Sequence, residues 1–193
     1  MIPAALLACA PNVARVTLEA VIRVESGGNP LAIHVNGLRL QPAPATSAAA
    51  AARTAERYIL RGYSVDLGLM QVNSRNLVAL GTTVDRVLDP CTNIRDGAAI
   101  LTADYAGATR SRGDGQPALQ AALSAYNTGT FYRGFANGYV ARYYGPGGVP
   151  AFAGGPHDAA ATAISARRAA PPPNPYTAGT TVFAREASDV RIQ

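Results

Sequence analysis

The chain contains no lysine and no tryptophan, and it has only two cysteines, two methionines and two histidines in 193 residues. Its positive charge therefore comes from arginine alone, 17 residues against 12 acidic ones for a formal net charge of +5. Such a bias says more about genome composition than about function, but its sign favours anionic surroundings such as cell-wall polymer, phospholipid or nucleic acid. The arginines are scattered and no basic run exceeds Arg167-Arg168, so nucleic-acid binding gains no specific support. Long apolar runs are also missing: nothing approaches the roughly 20 residues of a membrane span. The short run Ala4 to Ala8 has no basic flank and makes a poor secretory leader, so export would need a signal outside these residues or an unusually short one. Two cysteines are too few for a structural zinc site unless both histidines join them, and their spacing fits no metal pattern. No cofactor or metal is expected. Cys9 and Cys91 can stay as thiols or pair; a bridge closing about 80 residues would stabilise the fold by roughly 4 kcal/mol and would imply an oxidising compartment.

What is present centres on Leu18 to Pro30. Leu18, Val21, Ile22 and Glu25 fall at i, i+3, i+4 and i+7, which places a carboxylate on the face of three aliphatic side chains in a helix capped by Asn12 or Thr17. Gly27, Gly28 and Pro30 stop that helix, so Glu25 occupies its last turn beside the negative end of the dipole. Partial burial and the dipole both favour the neutral acid and raise the pKa, as a proton donor near neutral pH requires. On the helix alone, Glu25 reads more readily as a helix-end residue that reaches water or pairs with Arg23 or Arg39.

Further along, Asn36-Gly37 between short alternating runs predicts a hairpin with strands at about 32–35 and 38–41. His34, on that hairpin, reads as a packed strand residue. Thr46 to Arg61 is an alanine-rich helix ended by Gly62. Tyr63 to Val72 adds a third strand that turns at Gly68, and Asn73 or Ser74 caps a short helix through Leu80. Asp89-Pro90 leads into a helix from about Asn93 to Tyr105, followed by a glycine-rich loop and a helix from Ala118 to Asn127. Phe131 to Tyr144 holds six aromatics with a short helix at about 136–143, either a core corner or the stacking wall of a sugar groove. From about residue 150 glycine, proline and alanine dominate, so the chain divides into a domain at 1–150 and a flexible tail at 151–193.

Three pieces stand in order over about 105 residues: Glu25-Ser26-Gly27-Gly28-Asn29-Pro30, Gly68-Leu69-Met70-Gln71-Val72-Asn73 and Ala125-Tyr126-Asn127-Thr128-Gly129. Together they resemble the motifs of lytic transglycosylases with a goose-type lysozyme fold. The surrounding Ala32 to Gly37 and Asp89-Pro90-Cys91 look most like the branch associated with type IV secretion systems. The likeness covers about residues 9–145. It implies a mostly helical α+β, lysozyme-like domain with a small antiparallel hairpin sheet, acting on peptidoglycan glycan strands in the periplasm, with secretion-system components as partners through the tail. It carries the catalytic acid onto Glu25 and glycan binding onto Ser26, Met70, Gln71, Asn73, Tyr126, Asn127 and, in the aromatic stretch, Tyr139.

Ordinary glycosidases use two carboxylates, and here no second acid has a clear claim. Asp66 is the best candidate, though by alternation from Leu67 it can equally point to solvent. If Glu25 works alone, the substrate supplies the rest, its N-acetyl carbonyl steadying the cationic centre and its hydroxymethyl oxygen acting as nucleophile. The resemblance then implies cleavage between N-acetylmuramic acid and N-acetylglucosamine with a 1,6-anhydro product. The alternatives are a hydrolytic muramidase with Asp66 positioning water, and a peptidoglycan-binding adaptor of a secretion machine that does not cleave.

Overall fold

The computed structural model describes residues 2–144. Eight helices carry most of them: α1 (Ala4–Leu7), α2 (Arg15–Ser26), α3 (Ala48–Ile59), α4 (Val84–Val87), α5 (Pro90–Arg112), α6 (Gln116–Thr128), α7 (Arg133–Ala136) and α8 (Ala141–Tyr144). Three short strands, β1 (Ile33–Val35), β2 (Val65–Leu67) and β3 (Val72–Asn73), form an antiparallel sheet in the order β1-β2-β3. The expected tail at 151–193 lies outside the described residues. No helix among the described residues is long and apolar enough to cross a membrane.

Helix α2 forms where its apolar spacing requires, with Leu18, Val21 and Ile22 fully buried and Gly27 closing it in the left-handed conformation at φ 63°. Its start differs from expectation: Ala14 precedes the first turn without a side-chain cap, and neither Asn12 nor Thr17 serves. Asn12 instead donates to Thr102 at 3.4 Å.

The predicted hairpin does not form. Asn36-Gly37 does turn, with the Leu38 N–H on the Val35 carbonyl, but the returning segment is replaced by one side chain. Gln41 accepts from the Val35 N–H at 2.7 Å and donates to the Val35 carbonyl at 2.9 Å, so its primary amide does the work of a partner strand's peptide group. β1 pairs instead with the distant β2, Ile33 opposite Leu67, His34 opposite Asp66 and Val35 opposite Val65. The third strand was expected, and Gly68 is where the chain turns toward β3.

Helix α5 is longer than predicted. It begins at Pro90 because Asp89 caps it, accepting from the Thr92 N–H at 2.8 Å, and it continues to Arg112. Gly97 inside it costs about 1 kcal/mol relative to alanine, and packing explains its presence: a Cβ there would lie 2.7 Å from the Met70 Cβ and 3.0 Å from the Tyr126 hydroxyl. The single helix expected at 136–143 resolves into α7 and α8.

Two cores result. One gathers α2, α5 and α6 with Met70, Tyr139 and Tyr143. The other gathers the sheet, α3 and α4 around Val35, Val65, Leu67 and Val72. Tyr126 packs against both, so it marks the junction between the two lobes.

Cys9 and Cys91 form a disulfide across 82 positions, tying the segment after α1 to the first turn of α5. Reduction, or replacement of both by serine, is expected to lower the unfolding free energy by roughly 2–4 kcal/mol. Urea unfolding of oxidised and reduced protein checks this, and equal midpoints would contradict it.

Candidate active site

Glu25 ends α2 at the junction of the lobes, partly buried. Its Oε1 accepts a hydrogen bond from the Tyr139 hydroxyl, and that hydroxyl lies 2.8 Å from the hydroxyl of Tyr143. Burial pushes the Glu25 carboxyl up to about 7; the Tyr139 hydrogen bond opposes the rise, the charge of Asp66 adds to it, and Arg142 offsets a little. Both tyrosines are held high, chiefly by burial; next comes Glu25 for Tyr143, and Tyr143 followed by Glu25 for Tyr139.

The opposite wall is the polar face of the sheet. Strand alternation puts Ile33, Val35, Val65, Leu67 and Val72 toward the core, leaving His34, Asp66 and Asn73 abreast on the other face. Asp66 is thereby fixed beside Glu25 and away from the core. Each of its oxygens has an amide donor, Asn73 at 2.6 Å on Oδ1 and Asn36 at 2.8 Å on Oδ2. Burial raises its pKa, while the two amides and His34 pull the other way. His34 is exposed on this face, contrary to its reading as a packed residue.

The turn from Gly68 to Gln71 joins the walls. Gly68 is obligatory, since φ is +72° and a Cβ would lie 2.4 Å from the Asn93 amide nitrogen. Gln71 is the one described non-glycine residue with positive φ, at 50°, a conformation its side chain secures by donating to the Gly68 carbonyl at 2.9 Å. Asn93, fully buried, accepts from the Met70 N–H at 2.7 Å and donates to the Leu67 and Val87 carbonyls at 2.8 Å each. Tyr126 donates to the Met70 carbonyl at 2.6 Å, and Ser26 donates to the Leu69 carbonyl at 2.7 Å.

Of the expected site residues, Ser26, Met70, Gln71, Asn73 and Tyr126 gather around the Gly68–Gln71 turn and Asp66, with Tyr139 on Glu25. Met70 has no exposed surface, so its side chain is core packing. The Ser26 and Tyr126 hydroxyls are engaged with backbone and act as braces of the turn. Asn73 is engaged at both ends, donating to Asp66 and accepting from the Arg75 N–H. Asn127 is exposed and accepts from Asn137 at 2.9 Å. Gln71 stays partly exposed, donating to the Ala32 and Gly68 carbonyls. Sequence reasoning missed Asn36, Asn93 and Tyr143 as site residues. Asn36 had been read only as a turn former, and Asn93, four residues before Gly97 on one helix face, is the signal that could have revealed a clamp.

The chain is a member of the Transglycosylase SLT domain family, which it matches over residues 4–143. Its architecture is the mostly helical, lysozyme-like α+β domain that the three motifs imply. Protein virB1 of Agrobacterium fabrum is 46% identical over 132 residues, covering 68% of this chain and 53% of that protein. The type IV secretion system protein virB1 of Brucella abortus is 43% identical over 138 residues, covering 70% of this chain and 58% of that protein. The chain thus spans a little over half the length of these relatives. No solved structure gives a significant match.

Asn93→Ala leaves the Met70 N–H and two carbonyls without their partner and is expected to cost about 3 kcal/mol or more, whereas Asn127→Ala should stay within about 0.5 kcal/mol; chemical denaturation compares them. Glu25 yields a pH-dependent prediction. Its folded pKa, about 7 against an ordinary 4.5, means that stability is greatest below about 4.5 and falls as pH rises toward 7. Glu25→Gln removes this dependence, so its melting temperature should gain on the wild type between pH 4.5 and 7 and the gain should then level off. A constant difference across that range would refute the assignment.

Proposed function

We propose that the chain is a peptidoglycan lytic transglycosylase in which Glu25 serves as acid and then as base. The observation that carries this reading is a partly buried carboxyl titrating at about 7 with a tyrosine hydroxyl on one oxygen. Such a group is protonated often enough to give a proton and basic enough to take one back at ambient pH.

Bound across the junction, the glycan presents the oxygen between N-acetylmuramic acid and N-acetylglucosamine to Glu25. Proton transfer to that oxygen breaks its bond to the anomeric carbon, and Tyr139 stabilises the carboxylate that forms. The sugar's own hydroxymethyl oxygen then bonds to the anomeric carbon while its proton passes to Glu25. The acid is regenerated, no water is consumed, and the product is a 1,6-anhydro sugar. An attached nucleophile benefits from high effective molarity, so a second nucleophilic carboxylate is dispensable. Asp66, held by its two amide donors, stands as a positioned carboxyl beside Glu25. The groove contacts assigned to the glycan are Gln71 and Asn127, with Ser26, Met70, Asn73, Tyr126 and Tyr139 holding the walls. By likeness to the virB1 proteins, the work would be local opening of the wall, in the periplasm, for a type IV secretion system.

Purified peptidoglycan treated with the chain should release anhydro-ended muropeptides, read by mass, and Glu25→Gln should lower the rate by about 10²–10⁴-fold. Above pH 7 the wild-type kcat/KM should fall about tenfold per pH unit as the acid loses its proton. Reducing ends would favour a hydrolytic muramidase using Asp66. Glycan binding without release would leave the adaptor reading.

A further inference from the structure

Tyr143 takes no part in the reaction just described, yet its hydroxyl lies 2.8 Å from that of Tyr139. Both side chains are buried, at 1% and 4% exposure, with their rings edge to face at 5.4 Å. A tyrosine hydroxyl has one proton to give. Tyr139 gives its proton to Oε1 of Glu25, so the bond between the two hydroxyls must run from Tyr143 to Tyr139.

Building on the acid–base role proposed for Glu25, we infer that Tyr143 is a positioning residue: by donating to Tyr139 it commits the Tyr139 proton to Oε1 and leaves Oε2 as the oxygen that carries the transferable proton. Oε2 has no hydrogen-bond partner among the described residues. Without Tyr143, the Tyr139 oxygen is open to accept from a proton on Oε1, and the acid's proton can be held inward, away from the glycosidic oxygen. The same chain of donors steadies the carboxylate after transfer, because linked hydrogen bonds polarise one another. The other groups that face Glu25 are Asp66 from β2, Tyr126 from α6, and Arg142 from α8. The Arg142 guanidinium lies over the Tyr139 ring at 5.8 Å and donates to the Val24 carbonyl. None of these three hydrogen-bonds to Glu25.

Tyr143→Phe removes one oxygen and keeps the ring, so folding should persist, as thermal melting will verify. The chain has four glutamates, Glu19, Glu25, Glu56 and Glu186, so carboxyl-labelled glutamate gives four carbon resonances, and Glu25→Gln identifies the one of interest. In Tyr143→Phe the Glu25 midpoint should move up by about half a pH unit, the cost to a carboxylate of a weakened donor chain. The kcat should fall about three- to tenfold at unchanged KM. Adding Tyr143→Phe to Tyr139→Phe should move neither quantity further, since the effect runs through Tyr139. An unmoved midpoint in the single variant, or the same shift persisting without the Tyr139 hydroxyl, would overturn the inference. The titration needs no glycan cleavage, so a chain that proves inactive would sink the transglycosylase reading while leaving the tyrosine chain to be judged by its own result.

Discussion

Ser26 donates to the carbonyl of Leu69, Asn93 accepts from the N–H of Met70, and Tyr126 donates to the carbonyl of Met70. Three helices therefore hold two adjacent peptide groups of one turn, and everything that faces the groove depends on that grip. Hydrogen bonds to backbone in a buried setting are directional and expensive to leave unmade. The turn cannot drift by a fraction of an ångström without unpairing one of the three. It follows that the sheet face bearing Asp66 is locked in place relative to the helix end bearing Glu25, although the two belong to different cores.

The three short motifs were legible together through their family resemblance, and this grip explains why their individual roles were not. The pattern Leu18, Val21, Ile22, Glu25 placed the Glu25 carboxyl in the last turn of α2 because helical period is a local property. Gly68 was legible as a turn for the same reason. The roles of Ser26, Met70 and Tyr126 were not, because whether a hydroxyl faces a ligand or a carbonyl 43 or 56 positions away is decided by tertiary packing. Met70, expected at the groove, lies under it against Gly97. Asn93 and Gly97 carried a helical spacing that could have been noticed, but an asparagine at a helix start is more often a cap than a buried clamp. The false hairpin has a different cause: the Asn36-Gly37 turn was read correctly, yet nothing local reveals that a side chain, not a strand, will answer it.

Electrostatically the site sets two carboxyl groups against each other. Asp66 carries two amide donors and Glu25 one tyrosine donor, while burial acts on both. Burial raises both carboxyls; two amides and His34 oppose the rise at Asp66, and the charge of Asp66 adds to the rise at Glu25. Burial is the main cause that holds the Glu25 carboxyl up to about 7, with the Asp66 charge a smaller addition, and the stability cost builds up between pH 4.5 and 7, where the unfolded chain ionises this group and the folded one does not.

The amide of Gln41 has a consequence for how these molecules behave in company. β1 is an outer strand of the sheet, and the N–H and carbonyl of Val35 point away from β2, the direction from which a strand of another molecule would approach. With both groups already bonded to Gln41, that stretch of the sheet border offers no free ladder to a newcomer. One glutamine thus closes part of an open sheet margin to self-association without covering the polar face of the sheet beside it.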